Sequence, residues 1–255
     1  MIYDLQKANI WKRISAHLFD AILVGMVAVG IAAILSAVLG YDGHSNKVEE
    51  FYNRYEEEYN VDFDISAENF NALAPEEQER YRQVHSDLFN NDEFFYSYYM
   101  VINLSFIIAV FGILIAFILM EFVIPMIFKN GQTIGKKVFG VAVMRTDGVR
   151  ISGPILFTRS ILGKCVVETI LPVAFILMVV FQMTSLLSAI VAIAAIHLTN
   201  IIMMIVSKKN AGIHDTIANT VAVDFASQLI FESPEALLEY KQKIHEEKVK
   251  NAEYK

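Results

Sequence analysis

The sequence predicts a membrane all-α fold: a four-transmembrane-helix bundle with a mostly helical extracytoplasmic insertion and a small cytoplasmic β-hairpin. Three observations carry this expectation. The 255-residue chain is 55% hydrophobic with a mean hydropathy of +0.43, and the excess is concentrated in runs too long for a soluble core. The longest, residues 170–206, contains no Asp, Glu, Lys or Arg over 37 positions. Finally, the basic residues fall in three groups beside the apolar runs, as charges do when they fix the orientation of membrane spans.

A span needs about 20 apolar residues to cross about 30 Å of hydrocarbon. The first runs from about Ile14 to Leu39 behind Lys12 and Arg13. It is longer than the apolar core of a leader peptide and is interrupted early by Asp20, so it reads as a retained helix. The second runs from about Met100 to Met120, behind Tyr96, Tyr98 and Tyr99 as an interfacial aromatic belt. Glu121 and Pro125 then predict a kink or an exit from the membrane. As one helix, residues 170–206 would measure about 55 Å. Two spans fit better, the first starting near Ile161 and the turn falling at Gln182-Met183-Thr184-Ser185.

Charge tests the count. Lys7, Lys12 and Arg13 precede the first span; Lys129, Lys136, Lys137, Arg145 and Arg150 follow the second; Lys208 and Lys209 follow the last. Four spans put all three groups on the cytoplasmic side, with both termini, and leave segment 41–98 outside. That segment holds fifteen acids against four bases, a balance of −11, so the rest of the chain is +4 although the whole is −7.

Within the outer segment, Val48, Phe51, Tyr52, Tyr55 and Tyr59 follow helical spacing. Val61, Phe63 and Ile65 alternate with acids in a strand-like pattern. Ser66 is placed to cap a turn, and Pro75 to open a further helix. On the other side, Val138 to Met144 is rich in β-branched residues, and Asp147-Gly148 predicts a hairpin back into Val149-Arg150-Ile151. Thr220 to Val223 alternates and offers a further strand. Ser233 and Pro234 start a helical tail.

Several residues have the chemistry for a site. Arg13 and Asp20 stand two helical turns apart on one face, about 10.5 Å along the axis, too far to pair directly. A carboxylate inside a span is expensive and reads as functional by default; the bland reading of Asp20 is a hydrogen bond to a neighbouring helix. Glu121 lies at comparable depth on the second helix. Facing inward, the two acids form a paired carboxylate site able to share a proton or hold a cation. Facing outward, Glu121 is a snorkelling residue at a helix end. Lys136 and Lys137 sit at head-group level, where each basic residue is worth about 1 kcal/mol near an anionic surface. A network of Arg13, Lys136 and Asp215 would clamp three segments together if the Thr220 strand pairs with the hairpin.

Arg159, Lys164 and Glu168 read as interfacial anchors, with Lys164 and Glu168 paired at helical spacing. His197, Thr199 and Asn200 in the last span read as interhelical hydrogen-bonding groups, with His197 alternatively a proton relay. Cys165, the single cysteine, excludes an intrachain disulfide and reads as a small buried hydrophobe.

Three motifs resemble the RDD family. Arg13-Ile14-Ser15-Ala16-His17-Leu18-Phe19-Asp20 is similar to the family's opening, an arginine that starts the first helix and an aspartate inside it. Asn130-Gly131-Gln132-Thr133-Ile134-Gly135-Lys136-Lys137-Val138-Phe139-Gly140 resembles its Gln-Thr-x-Gly-Lys run after the second helix. Ile213-His214-Asp215-Thr216-Ile217-Ala218-Asn219-Thr220 resembles its closing His-Asp motif. The acidic segment 41–98 and the stretch between Glu121 and Gly131 depart from the family pattern. The resemblance implies an RDD-like membrane domain over 10–225, carrying the 41–98 insertion and followed by a cytoplasmic helical tail, 226–255. It implies a domain often suggested to transport, with no agreed ligand, and directs attention to Arg13, Asp20, Glu121 and Asp215 and to Thr133, Gly135, Lys136 and His214.

The chain has no P-loop, dinucleotide fingerprint, paired-cysteine motif or His-Glu-x-x-His helix. Asp62, Asp64 and Ser66 begin like a calcium loop, but Ala67 and Leu73 stand where that loop needs Gly and a bidentate acid. No enzyme activity, cofactor, metal or nucleic-acid partner is expected. Three functions remain open: a carrier for a small solute or cation linked to protons, an adaptor binding another membrane protein, and an anionic-lipid-binding protein. The expected partners are the bilayer, anionic lipids, and a homo-oligomeric or membrane-protein partner.

Overall fold

A computed structural model describes residues 5–180 and 182–253. The chain divides into two compact units: Met26–Ile115, and the stretch up to Gly25 together with everything from Ala116 onward. The first helix, α1 (Ile10–Leu39), runs through both. It is apolar on all sides, with Trp11, Ile22, Met26 and Val29 all largely exposed. Such a helix is stable where its surroundings are hydrocarbon.

In the Met26–Ile115 unit, α1 is followed by α2 (Tyr41–Tyr59), α3 (Ala67–Ala72), α4 (Pro75–Phe89) and α5 (Asp92–Ile118). The periodic apolar residues of α2 and α4 meet as expected. Phe51, Leu88 and Phe94 form a core against which Val48, Tyr52, Tyr55, Phe63, Phe89 and Tyr98 pack. The rings of Phe94 and Phe89 lie edge to face at 5.1 Å, a favoured aromatic geometry. Ser66 caps α3 by accepting from Asn69 N at 3.2 Å. The strand-like alternation at 61–65 does not form a strand. The Asp62 carboxylate instead accepts from Asp64 N at 2.9 Å, closing a turn in which a short acidic side chain competes with the ladder. Further along α5, Gly112 brings the helix against Ala28 and Ala32 of α1, the close approach that small residues permit between spans.

The second span, Asp92–Phe128, is interrupted where Glu121 and Pro125 predict. The interruption is π-helical: π1 (Leu119–Val123) leads into α6 (Ile124–Phe128). Pro125 has no N–H for the carbonyl of Glu121, four residues back, and its ring crowds that oxygen. A wider turn relieves both problems.

Next come α7 (Ile134–Val138), capped by Thr133, and β1 (Val141–Arg145). The third span, Gly153–Val179, starts eight residues earlier than the sequence predicts. It comprises α8 (Gly153–Phe157), a thirteen-residue π2 (Thr158–Ile170) and α9 (Leu171–Val180). Like π1, π2 ends two residues before a proline, here Pro172. The turn at 182–185 is present, and Ser185 caps α10 (Leu186–Val206), the fourth span. Then follow α11 (Ile213–Ile217), β2 (Thr220–Asp224) and the tail helix α12 (Pro234–Glu253), capped by Ser233.

The sheet differs from the predicted hairpin. β1 pairs antiparallel with β2, from Val141 opposite Asp224 to Arg145 opposite Thr220. The Asp147-Gly148 turn exists, with Gly148 at φ 93° and Arg145 N bonded to Val149 O, but the return limb is a single bridge, Met144 to Arg150. Only three residues separate that turn from Ser152, where α8 begins, too few for a strand. Thr220–Asp224 is long enough and alternates correctly. Ala142, Met144, Val221 and Val223 form one face of the sheet, and Val141, Ala222 and Ala8 the other.

Candidate functional site

The predicted site residues converge in one region of the larger unit, around three buried carboxylates. Asp20 lies nearly three turns into α1 and is 3% exposed. Its carboxylate accepts from the Thr133 hydroxyl and, at 2.7 Å, from Gly135 N. Thr133 Oγ1 in turn accepts from Lys136 N at 3.3 Å, so one hydroxyl both caps α7 and ties it to α1. Gly135 makes the approach possible. A Cβ there would lie 2.4 Å from Ala16 O and 2.9 Å from Asp20 Cγ. The Gln-Thr-x-Gly-Lys run is therefore a docking device: Thr and Gly hold the aspartate, and Lys follows into the site.

Glu121 projects from π1. Its Oε1 accepts from Lys164 of π2, and its Oε2 lies 3.9 Å from Lys136 Nζ. Asp215, fully buried in α11, accepts from Arg13 Nη2 at 3.0 Å and from Arg159 Nε at 3.0 Å, and is held further by Gly212 N and the Thr220 hydroxyl at 3.3 Å each. Arg13 also donates to the carbonyl of Asn210. His214 Nε2 stands 3.7 Å from the Asp215 carboxylate.

Local folding explains why these groups meet. Arg159 and Lys164 are five residues apart, the hydrogen-bonding interval of a π-helix, so π2 stacks them one turn apart on one face. An α-helix would send them to different sides. Gly163, between them, lets α11 lie directly on π2; a Cβ there would be 2.9 Å from His214 Cα. Asn200 of α10 accepts from Ile213 N at 2.9 Å and fixes the start of α11.

Around this network lies a cavity of about 490 Å³. Its polar lining includes Arg13, Lys136, Arg159, Lys164, His214 and Asp20; Ile14, Leu18, Ile201 and Met204 supply an apolar wall. Glu121 and Asp215 stand behind the cations. Four cationic side chains thus face three carboxylates whose oxygens are directed at cations and hydrogen-bond donors.

Electrostatics follow from this crowding. Burial pushes the Asp215 carboxyl up, but Arg159, His214 and Arg13 outweigh it and hold the group well below the usual carboxylate range. Burial, then the neighbouring Arg159 and Lys164, bring the Lys136 ammonium down to about 8 against the opposing pull of Glu121 and Asp20.

With this geometry in place, comparison with known families is decisive: the family model described as the RDD family matches residues 7–219. The chain belongs to the RDD family. The match encloses every charged member of the network, from Arg13 to Asp215. No curated protein and no solved structure matches the chain. Family membership and four long apolar helices make it a membrane protein in contact with the lipid bilayer.

Within the RDD domain, four expectations need revision. Asp20 and Glu121 do not form a shared carboxylate pair; each has its own donors, and Lys136 lies within the field of both. Lys136 joins Glu121 instead of completing a triad with Arg13 and Asp215, because α7 turns it toward π1. Lys164 is a buried partner of Glu121, not an interfacial anchor. The expected Lys164–Glu168 pair lies outside the described residues, since the Glu168 side chain is not among them. Thr199 bonds the carbonyl of Ala195 in its own helix, whereas Asn200 does make the expected link between elements. Among the described residues no cluster of His, Cys, Asp and Glu has the makings of a metal site.

The sequence undervalued Arg159 and Lys164. The available signal was Pro172, which, like Pro125, follows a polar residue inside an apolar run and marks a π-helical stretch before it.

Proposed function

We propose that this RDD protein binds an anionic ligand in the cavity between α1, π2 and α10, and that binding involves no covalent chemistry. The single observation that carries this reading is the lining itself: Arg13, Lys136, Arg159 and Lys164 face the space, while the carboxylates lie behind them or are bound to donors. A site for a sodium or potassium ion needs exposed anionic oxygens; here Asp20 and Asp215 are bound to donors, and Glu121 Oε2, which accepts no hydrogen bond, is buried beside Lys136. Any solute this protein carries is, on this reading, an anion. The charge pattern supports an orientation with both termini and the RDD motifs cytoplasmic and residues 41–98 outside.

The test is thermal unfolding of the detergent-solubilised full chain in the presence of inorganic phosphate, glycerol phosphate, sodium and potassium. A ligand at a hundred times its Kd stabilises by about 2.7 kcal/mol. Saturable stabilisation by the phosphates, reduced in Lys136→Gln, is the expected result. Stabilisation by monovalent cations with none by the anions would overturn the reading and return cation-linked transport to first place.

A further inference from the structure

We propose that the ligand of this cavity is a phosphate-bearing lipid that enters sideways from the bilayer between α1 and α10, its phosphate on the cationic floor and its chains left in the hydrocarbon. The proposal rests on the anion-binding reading above and adds the ligand's second half.

The cavity is two-sided in character. Its floor holds Lys136, Arg159 and Lys164, which π2 and α7 bring together. Its wall is apolar, and that wall does not end inside the protein. Leu18 and Ile201 line the cavity, yet are 58% and 45% exposed, so the same side chains also form the outer surfaces of α1 and α10. Those surfaces continue as Ile22 on α1 and as Leu198, Ile202 and Ile205 on α10, all largely exposed and all on helices long and apolar enough to span a membrane. The cavity therefore opens through an apolar slot onto a lipid-facing surface. A small hydrophilic anion would satisfy the floor and leave the wall facing water; an amphiphile satisfies both.

Depth agrees with this arrangement. The slot lies in the first turns of α1 and the last turns of α10, so it stands at the end of both spans, where phosphates of the adjacent leaflet lie. The volume, about 490 Å³, is within the ordinary range for small-ligand sites of about 300–1,000 Å³, enough for a head group and the first carbons of its chains. Lys136 is the cation with most to offer a phosphate. Its ion-pair partner among the described residues, Glu121, is 3.9 Å away, whereas Arg13 and Arg159 hold Asp215 at 3.0 Å or less. A phosphate supplies the short charged contacts that Lys136 lacks.

The experiment uses the full chain reconstituted in phosphatidylcholine vesicles with a minor fraction of a photoactivatable lipid, the reactive group in the acyl chain. One arm carries phosphatidic acid, a second phosphatidylcholine with the same chain, and a third the phosphatidic acid probe with excess glycerol phosphate. Cross-links are mapped by peptide mass spectrometry. The expected result is enrichment of the phosphatidic acid probe, over the phosphatidylcholine probe, on peptides covering residues 10–20 and 197–204. Lys136→Gln should weaken it about tenfold, as loss of one charged contact predicts. Ile201→Phe, which narrows the slot and leaves every cation in place, should reduce cross-linking while preserving stabilisation by glycerol phosphate, which also shows that the variant is folded. Equal labelling by both lipids alongside stabilisation by glycerol phosphate would overturn the lipid proposal and leave a soluble anion as the ligand. No response to either phosphate source would overturn both.

Discussion

Gly135→Ala tests the docking of α7 on α1 more sharply than any change to a charged residue, because it alters neither charge nor hydrogen-bonding capacity. The new methyl would lie 2.4 Å from Ala16 O and 2.9 Å from both Asp20 Cγ and Oδ1. The first neighbour is helix backbone and the second a buried side chain already held by two donors, so neither can move aside locally. Relief requires α7 to lift from α1. Overpacking of this kind costs about 1–3 kcal/mol. Lifting also stretches the 2.7 Å bond from Gly135 N to Asp20, a bond to a charged acceptor worth about 1.5–3 kcal/mol. The two losses share one displacement and do not add fully, so the expected destabilisation is about 3 kcal/mol, roughly a hundredfold in the unfolding equilibrium. Gly30→Ala is the control, since a Cβ there meets nothing within 4 Å. Reversible unfolding of the purified protein in mixed micelles, followed by circular dichroism, measures both. Equal stability of Gly135→Ala and the parent would refute the proposed contact between the Thr-x-Gly run and the first helix.

Other perturbations follow from the same network. Asp215→Ala leaves Arg13 and Arg159 without their shared carboxylate, and breaking a buried ion pair from one side should cost about 3–5 kcal/mol in the same unfolding assay. Lys136 makes stability depend on pH. Because its folded pKa falls from 10.5 to about 8, the native protein binds fewer protons than the unfolded chain between those values, so stability rises with pH across that window; well below it the cost of burying the charge is fully present and no longer changes with pH. Lys136→Met should remove that rise in a pH series of melting curves. Gly163→Ala places a methyl 2.9 Å from His214 Cα and should separate α11 from π2, destabilising by about 1–3 kcal/mol. The orientation is open to single-cysteine labelling. Cys165 is buried and should stay silent, while a cysteine at Glu68 should react from outside intact cells and one at Lys243 only after permeabilisation.

The spans, the turn at 182–185, the helices of the acidic segment and the tail were legible because they rest on local signals: apolar run length, aromatic spacing, Ser and Pro at helix starts. The pairing of β1 with β2 was only half legible. Asp147-Gly148 announces a turn from four residues, whereas the competing partner lies some eighty residues away and wins by its length. Arg13, Asp20, Glu121 and Asp215 stand out as charges beside or within apolar helices, but their partners do not. Which cation meets which acid is set by the register of π2. A five-residue interval between Arg159 and Lys164 carries no meaning until the helix is known to be π. The prolines at 125 and 172 are the physical trace of that geometry in the chain, since each denies a hydrogen bond to a carbonyl four residues earlier.

The division of labour between acids and bases follows from the cost of burying charge. Four cationic side chains at the membrane boundary would repel one another and lose their hydration. Glu121 and Asp215 remove most of that penalty from behind, and Asp20 adds a third negative charge while fastening α7. The acids are therefore spent on assembling the cations and are not left as a binding surface. Lys136, the least tightly paired of them, holds its proton less firmly than usual, first because it is buried and then because Arg159 and Lys164 stand beside it. An anion in the cavity would offset the repulsion from Arg159 and Lys164, strengthen the hold of Lys136 on its proton, and stabilise α1, α7 and π2 together. Ligand binding measured near pH 8 should for that reason be accompanied by proton uptake, detectable as a buffer-dependent heat in calorimetry, whereas a bound cation would drive protons off.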